Sequence, residues 1–186
     1  MAERNPPFEF LSKRGLEWFL TENGVEWEYE NGKIIVPGDL NLSNRHLTSL
    51  PDRSKVIVKG SFICQNNELA SLKGAPLAVG LHFYCAHNRL TSLEGAPQSV
   101  PRNFDCSFNQ LTSLNGSPRT VGGSFYCNDN ELTSLKGGPD TVLGNYFCYG
   151  NLLSSIEGRP KNLGGILDDD GFVSPGCKIK PPSRGY

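Results

Sequence analysis

The sequence predicts a β-rich solenoid whose turns of about 21 residues stack to form a parallel β-sheet. From Cys64 onward a cysteine returns every 21 residues, with an aromatic residue two positions before it and an asparagine three positions after it. The cysteine column is Cys64, Cys85, Cys106, Cys127 and Cys148, and the asparagine column is Asn67, Asn88, Asn109, Asn130 and Asn151. The aromatic column is Phe62, Phe83, Phe104, Phe125 and Tyr146. A fixed period of this size is typical of repeat proteins, in which each turn buries its apolar face against its neighbours.

Each turn is expected to contain one short strand and one irregular return segment. The aromatic residue and the cysteine are separated by one residue, so both side chains lie on the same face of the strand. Two leucine columns follow the asparagine, and a glycine and a proline then exclude a long helix from the return. The asparagine is expected where the strand bends away, with its amide bonded to backbone groups of its own turn and the neighbouring turn.

The cysteine column is interpreted as a set of buried thiols. Parallel strands lie about 4.8 Å apart, close to the Cα separation of a disulfide, so alternating bridges are the competing interpretation. Five cysteines in one column cannot all pair, and a free thiol packs as a small apolar residue. The sequence contains no C-x-x-C motif and no Cys–His spacing that argues for zinc, so neither a metal nor a cofactor is expected. Free thiols predict a reducing, cytoplasmic compartment.

The N-terminal part, residues 1–38, is expected to cap the first turn. A helix is predicted from Asn5 to Thr21, with Pro6 at its first position and Gly24 after its end. A β-hairpin should follow, because alternating apolar and acidic residues flank the two-residue turn Asn31-Gly32. The solenoid, residues 39–165, then opens with a repeat that is one residue longer than the others and contains Leu40, Leu42, Leu47 and Leu50.

The C-terminal part, residues 166–186, is expected to form a second cap and a tail. Leu167 takes the aromatic column, Asp169 the cysteine column and Phe172 the asparagine position, so the regular stack should end here. The run from Asp168 to Gly171 is interpreted as a solvated turn, with a divalent-cation site as the alternative because carboxylates suit hard cations.

The face of the sheet opposite the core, expected to be concave, is the candidate partner-binding surface. A strand with one buried face should carry polar residues on the other, yet four of the five residues between the aromatic residue and the cysteine are large and apolar or aromatic. Exposed aromatic residues at regular spacing are typical of protein interfaces, although cross-strand packing that only stabilises the sheet is the alternative. The candidate residues are Ile63, His82, Tyr84, His87, Asp105, Phe108, Tyr126, Asp129, Phe147 and Tyr149.

Composition and motifs argue against several other functions. The net charge is −1, whereas a generic nucleic-acid binder would carry a basic excess. The first ten residues do not resemble a signal peptide, and the sequence contains no stretch long enough to cross a bilayer. His82, Tyr84, His87 and Asp105 form the best catalytic grouping, but no nucleophile accompanies them and a regular sheet forms no deep pocket. The chain is therefore expected not to be an enzyme.

The repeat resembles the leucine-rich repeats of bacteriophage and bacterial proteins. The run F-x-C-x-x-N-x-L-T-S-L-x-G-x-P carries this resemblance over roughly residues 25 to 165, and its N-x-L-T-S-L part is also similar to the repeats of type III effectors. The resemblance implies a right-handed leucine-rich-repeat superhelix. It also suggests a phage-encoded inhibitor that binds and blocks a host defence protein in the host cytoplasm. A virion component, a nucleic-acid or nucleotide binder, and self-association through the exposed aromatics are the alternatives.

Overall fold

The computed structural model describes residues 17, 20–22, 24–50 and 56–169, and it shows a β-solenoid of stacked turns. The strands of the described residues are β1 (Glu28–Glu30), β2 (Lys33–Val36), β3 (Leu40–Asn41), β4 (Val56–Val58), β5 (Phe62–Ile63), β6 (Ala78–Val79), β7 (Phe83–Tyr84), β8 (Ser99–Val100), β9 (Phe104–Asp105), β10 (Thr120–Val121), β11 (Phe125–Tyr126), β12 (Thr141–Val142), β13 (Tyr146–Phe147), β14 (Asn162–Leu163) and β15 (Leu167–Asp168). The predicted fold class is confirmed.

One sheet contains seven parallel strands, in the order β15-β13-β11-β9-β7-β5-β3. Neighbouring strands pair in register at a separation of one repeat, so that Phe62 lies beside Phe83 and Phe83 beside Phe104. Leu40 lies beside Phe62, which is 22 residues later, and this confirms that the first repeat is one residue longer. The in-register pairing places chemically equivalent residues in continuous rows.

The return segments, which were expected to be irregular, also form short strands. β6 continues a four-stranded sheet that contains β4, β2 and β1, and the strands β8, β10, β12 and β14 form another sheet. The last apolar column of the repeat supplies the buried residue of these strands, as Val79, Val100, Val121 and Val142 show. The solenoid core therefore lies between two walls of short strands.

The core consists of the columns that the sequence predicted. The aromatic, cysteine and leucine columns of the central turns are fully buried. The aromatic rings stack along the solenoid, with 5.2 Å between the ring centroids of Phe83 and Phe104 and 5.5 Å between those of Phe104 and Phe125. The continuous contact makes each turn part of one core that extends along the stack.

The five column cysteines are buried and form no disulfide, as the interpretation of a thiol core predicted. The Cys85 thiol lies 3.2 Å from the carbonyl oxygen of Asp105, and the Cys106 thiol lies 3.2 Å from that of Tyr126. Burial raises the pKa of Cys85, Cys106 and Cys127 well above the ordinary value, and neighbouring groups that would be negative add to the shift. The thiols therefore stay protonated and unreactive inside the folded chain.

Each column asparagine bonds to two turns, as expected. The side-chain amide of Asn109 donates to the carbonyls of Cys106 and Ser107 in its own turn, and to that of Cys85 in the preceding turn, each at 3.1 Å. Its Oδ1 accepts the Leu90 N–H at 2.9 Å. Asn88 and Asn130 repeat the same four contacts one turn away on either side. The asparagines thus satisfy backbone groups at the bend where no strand pairing is available.

The glycine of the return segment is required by both conformation and space. Gly95 has a φ of +99°, in a region that side-chain-bearing residues rarely adopt, and a Cβ there would overlap the Leu72 carbonyl oxygen of the preceding turn. The glycine therefore allows the backbones of neighbouring turns to approach closely.

The described part of the N-terminal segment contains helical residues and a β-hairpin. Glu17 and residues 20–22 are helical, and the N–H of Gly24, which has a φ of +64°, bonds to the Thr21 carbonyl at 3.0 Å. β1 and β2 form the antiparallel hairpin, with Glu30 beside Lys33 across the turn. The remainder of the expected helix lies outside the described residues, and no helix in the described part is long and apolar enough to cross a membrane.

At the other end, Leu167 pairs with Tyr146 and so occupies the aromatic column, as predicted. Asp169 is buried at the position of the cysteine column. The expected placement of Phe172 and the Asp170-Gly171 part of the acidic run lie outside the described residues.

Candidate partner-binding surface

The face of the seven-stranded sheet that points away from the core is called here the outer face. Its central row contains one residue from each strand of this sheet except β3, in register: Ile63, Tyr84, Asp105, Tyr126, Phe147 and Asp168. Each is half-buried, whereas the neighbouring aromatic and cysteine residues of the same strands are buried. The alternation along each strand confirms which side chains point outward, and it leaves four large apolar or aromatic side chains in contact with solvent.

The aromatic side chains of the outer face stack in pairs. The rings of Tyr126 and Phe147 lie 4.8 Å apart at an interplanar angle of 14°. The rings of His82 and Tyr84, which belong to one turn, lie 5.1 Å apart at 13°. The stacking limits the rotamers that each ring can adopt, so the aromatic row is largely organised before any partner binds.

A column of polar side chains beside the central row extends the backbone hydrogen bonding between turns. The Asn103 N–H donates to His82 Nδ1 at 3.2 Å, and the Ser124 N–H donates to Asn103 Oδ1 at 3.0 Å. Ser124 Oγ and Asn145 Oδ1 continue the series by accepting the N–H groups of Asn145 and Ile166. His82 therefore makes a structural hydrogen bond through Nδ1 in addition to its stack on Tyr84.

Asp105 occupies the central row between Tyr84 and Tyr126. Its Oδ1 accepts the Ser107 N–H at 3.0 Å and the Ser107 hydroxyl at 2.6 Å. In the first turn, Asn41 makes the same two contacts with Ser43, at 2.9 and 2.7 Å. Burial raises the pKa of Tyr84, a side-chain hydrogen bond with Asn103 opposes this shift, and the nearby Asp105 charge adds to it.

The bend after each cysteine forms one edge of the outer face. Its second residue has a positive φ in five successive turns, namely at Asn66, His87, Phe108, Asp129 and Gly150. Asparagine, aspartate and glycine tolerate this conformation, whereas phenylalanine does so at a cost of about 1–2 kcal/mol. Phe108 is 46% exposed, and its ring stacks on that of His87 with 4.3 Å between centroids and 6° between planes.

The structure divides the ten candidate residues among different environments, and His82 belongs to the polar column. Ile63, Tyr84, Tyr126 and Phe147 form the central row with Asp105, whereas His87, Phe108 and Asp129 lie at the edge. Tyr149 is half-buried and follows Cys148. Sequence reasoning missed two asparagines that bond to residues of this surface. Asn103 Oδ1 accepts the Ser124 N–H, and Asn128 Nδ2 donates to Asp129 Oδ2 at 2.7 Å.

The best catalytic grouping is engaged in structural contacts. Asp105 Oδ1 is bonded to Ser107, and His82 Nδ1 accepts a backbone N–H. Within the described residues, no group of three or more histidine, cysteine, aspartate or glutamate side chains is placed to hold a metal ion. The arrangement offers stacking surfaces and hydrogen-bonding groups.

The outer face is also poor in cationic side chains. The segments 61–66, 82–87, 103–108, 124–129 and 145–150 contain Asp105 and Asp129 but no lysine and no arginine. Of the nearby cations, Arg102 directly precedes one segment and is exposed, and Arg89 is paired with Glu68 at 3.1 Å.

The chain was compared with protein-family models, with curated proteins and with solved structures, and none of them matches it significantly.

Proposed function

We propose that this chain is a non-catalytic binding module that captures another protein on its outer face. The observation that carries the proposal is the central row, where three large aromatic side chains point away from the core and stay partly in contact with solvent. They are Tyr84, Tyr126 and Phe147. Large aromatic side chains supply contact area with few rotatable bonds, and hot spots of protein interfaces are enriched in tyrosine. The stacked pairs and the polar column beside them support a surface that is rigid before binding.

The resemblance of the repeats to phage leucine-rich repeats gives this module a biological setting. We propose that the chain is a phage-encoded inhibitor that blocks a host defence protein in the host cytoplasm by covering a functional surface of that protein. Steric blocking requires affinity and position but no reacting group, in keeping with a sheet whose best catalytic residues are engaged in structural contacts.

The test replaces Tyr84, Tyr126 and Phe147 together by alanine and compares capture of host proteins by the immobilised variant and the natural chain. We expect the triple variant to lose one specific partner, identified by mass spectrometry, while its circular dichroism and unfolding remain cooperative. The matched control replaces Thr120 and Thr141, which lie on strands of the other wall, by alanine and should keep the partner. Equal capture by the triple variant and the natural chain would reject the outer face as the site.

A further inference from the structure

We infer that Tyr84, Asp105 and Tyr126 form a notch in the outer face that receives an arginine side chain of the partner. The inference rests on the proposed function and names the chemical group by which the partner is held. It is drawn from the register of three neighbouring strands, in which Asp105 lies directly between the two tyrosines.

The spacing of the notch suits a planar group. Tyr84 and Tyr126 are separated by two strand spacings, about 9.6 Å at the backbone. A flat group in contact with both rings needs about 7–8 Å between them, which a lean of about 1 Å by each side chain toward the group would give. The His82 ring supports Tyr84 and the Phe147 ring supports Tyr126, so both walls are held by stacking.

The charge of the notch selects a cation. The carboxylate of Asp105 lies at its base, and its Oδ1 is the atom that bonds to Ser107, so those bonds do not use Oδ2. Lysine and arginine are absent from the five segments that form the strands and bends of the outer face, so no cation of these segments neutralises Asp105. A second copy of this face would bring like charges together, and self-association through it is disfavoured on the same ground.

The comparison with the first turn shows that the charge of Asp105 is not needed for the fold. Asn41 holds Ser43 by the same pair of hydrogen bonds that Asp105 makes to Ser107. An amide oxygen is therefore sufficient for this local turn, and the additional negative charge is available for binding.

Arginine fits the notch better than lysine. Its guanidinium is planar, stacks on aromatic faces and donates to a carboxylate through several N–H groups, whereas an ammonium is compact and strongly hydrated. The two tyrosine rings and the single carboxylate match this combination of stacking and charge.

The experiment titrates the isotopically labelled full chain with the capped peptide Gly-Arg-Gly and follows its amide and tyrosine ring signals by NMR. The comparison peptides carry lysine, or citrulline, which has a similar planar shape without the charge. We expect saturable shifts centred on Tyr84, Asp105 and Tyr126, with a Kd on the order of 10 mM, because two stacking contacts and one charge pair at an exposed site bind weakly. Citrulline and lysine should bind several-fold more weakly than arginine.

The deciding variant is Asp105→Asn, which preserves the two bonds to Ser107 and removes only the charge. It should weaken arginine binding about ten-fold, a difference of about 1.4 kcal/mol. The matched control is Asp140→Asn, because Asp140 is an exposed carboxylate on a return segment. The inference is overturned if citrulline binds as well as arginine, if Asp105→Asn changes nothing, or if the shifts do not involve the notch. If peptide binding fails while the triple alanine variant still loses its partner, the notch is rejected and the proposed function stands.

Discussion

Gly138 lies against the hydroxyl group of Tyr146, which belongs to the following turn. A Cβ at position 138 would come within 3.0 Å of the Tyr146 hydroxyl oxygen. In earlier turns the equivalent position is Ala75, Ala96 or Ser117, and the residue eight positions later, equivalent to Tyr146, is a phenylalanine. The missing methyl group at Gly138 thus accommodates the extra oxygen of Tyr146.

We expect this pair to show strong coupling in a double-mutant cycle. Gly138→Ala alone should destabilise the chain by about 1–2 kcal/mol, because it crowds a packed core. In the Tyr146→Phe background the same change should be neutral or stabilising, since the double variant reproduces the Ala96–Phe104 pair. Urea unfolding of the four proteins measures the coupling, which should reach about 1 kcal/mol. Additive free energies of unfolding would mean that the two residues do not compensate each other.

Replacement of Tyr146 by phenylalanine alone should not destabilise the chain. The Tyr146 hydroxyl is buried beside the Cys127 thiol, and it has no hydrogen-bond partner of good geometry among the described residues. A buried hydroxyl of this kind costs about 1–3 kcal/mol of desolvation, which the substitution recovers against a small loss of packing. Thermal unfolding should give a Tm equal to or above that of the natural chain. A clearly lower Tm would show that the hydroxyl has a stabilising partner.

The asparagine column should be the most sensitive polar feature of the solenoid. Asn109→Ala leaves one N–H and three carbonyl groups without their bonds, so we expect it to reduce the free energy of unfolding by at least about 3 kcal/mol. Asn109→Asp keeps the acceptor oxygen but replaces the donating amide by a second oxygen that faces three carbonyl oxygens. It should therefore reduce the free energy of unfolding at least as much as Asn109→Ala. The control is Asn67→Ala, because Asn67 is only half-buried and should cost less. Chemical denaturation ranks the three variants, and equal losses at Asn109 and Asn67 would contradict the role of burial.

Stability should fall in alkaline solution because the pKa values of Cys85, Cys106 and Cys127 are raised in the folded chain. The unfolded chain releases these thiol protons above the ordinary pKa of about 8.5, whereas the folded chain keeps them. The unfolded state then binds fewer protons than the folded state, so the free energy of unfolding decreases as the pH rises above this value. Well above it, each thiol contributes a slope of about 1.4 kcal/mol per pH unit.

Urea unfolding between neutral pH and pH about 10 measures this slope. Replacing Cys106 by alanine should lower stability at neutral pH but make the alkaline decrease less steep. An unchanged slope in that variant would exclude the buried thiols as its cause.

Phe108 is expected to lower the folding stability of the chain while it adds exposed aromatic surface to the outer face. Its φ of +53° favours asparagine, which occurs at the equivalent Asn66. We expect Phe108→Asn to raise the free energy of unfolding by up to about 1 kcal/mol, less what the stack on His87 contributes. If Phe108 contacts the partner, the same variant should bind more weakly, as isothermal titration with that partner would show. A variant that is destabilised would mean that the stack outweighs the backbone strain.

The period alone was enough to predict the core, the role of the asparagines and the direction of the outer side chains, because equivalent residues recur in register. It did not predict that four side chains of one column each accept a backbone N–H of the following turn, namely those of His82, Asn103, Ser124 and Asn145. These residues differ in type, and their common property is only an acceptor atom at a similar distance from the backbone. The sequence analysis selected Phe108 as a candidate residue but missed its positive φ. Its column contains asparagine, aspartate and glycine, a combination that indicates this conformation.

The asparagine amides have a direction: each reaches back to the turn before it. Each turn is thus held by its immediate neighbours, and inserting or deleting one complete repeat would leave the asparagine contacts of the remaining junctions unchanged. Duplication of one repeat would therefore lengthen the outer face by one strand while the architecture is preserved.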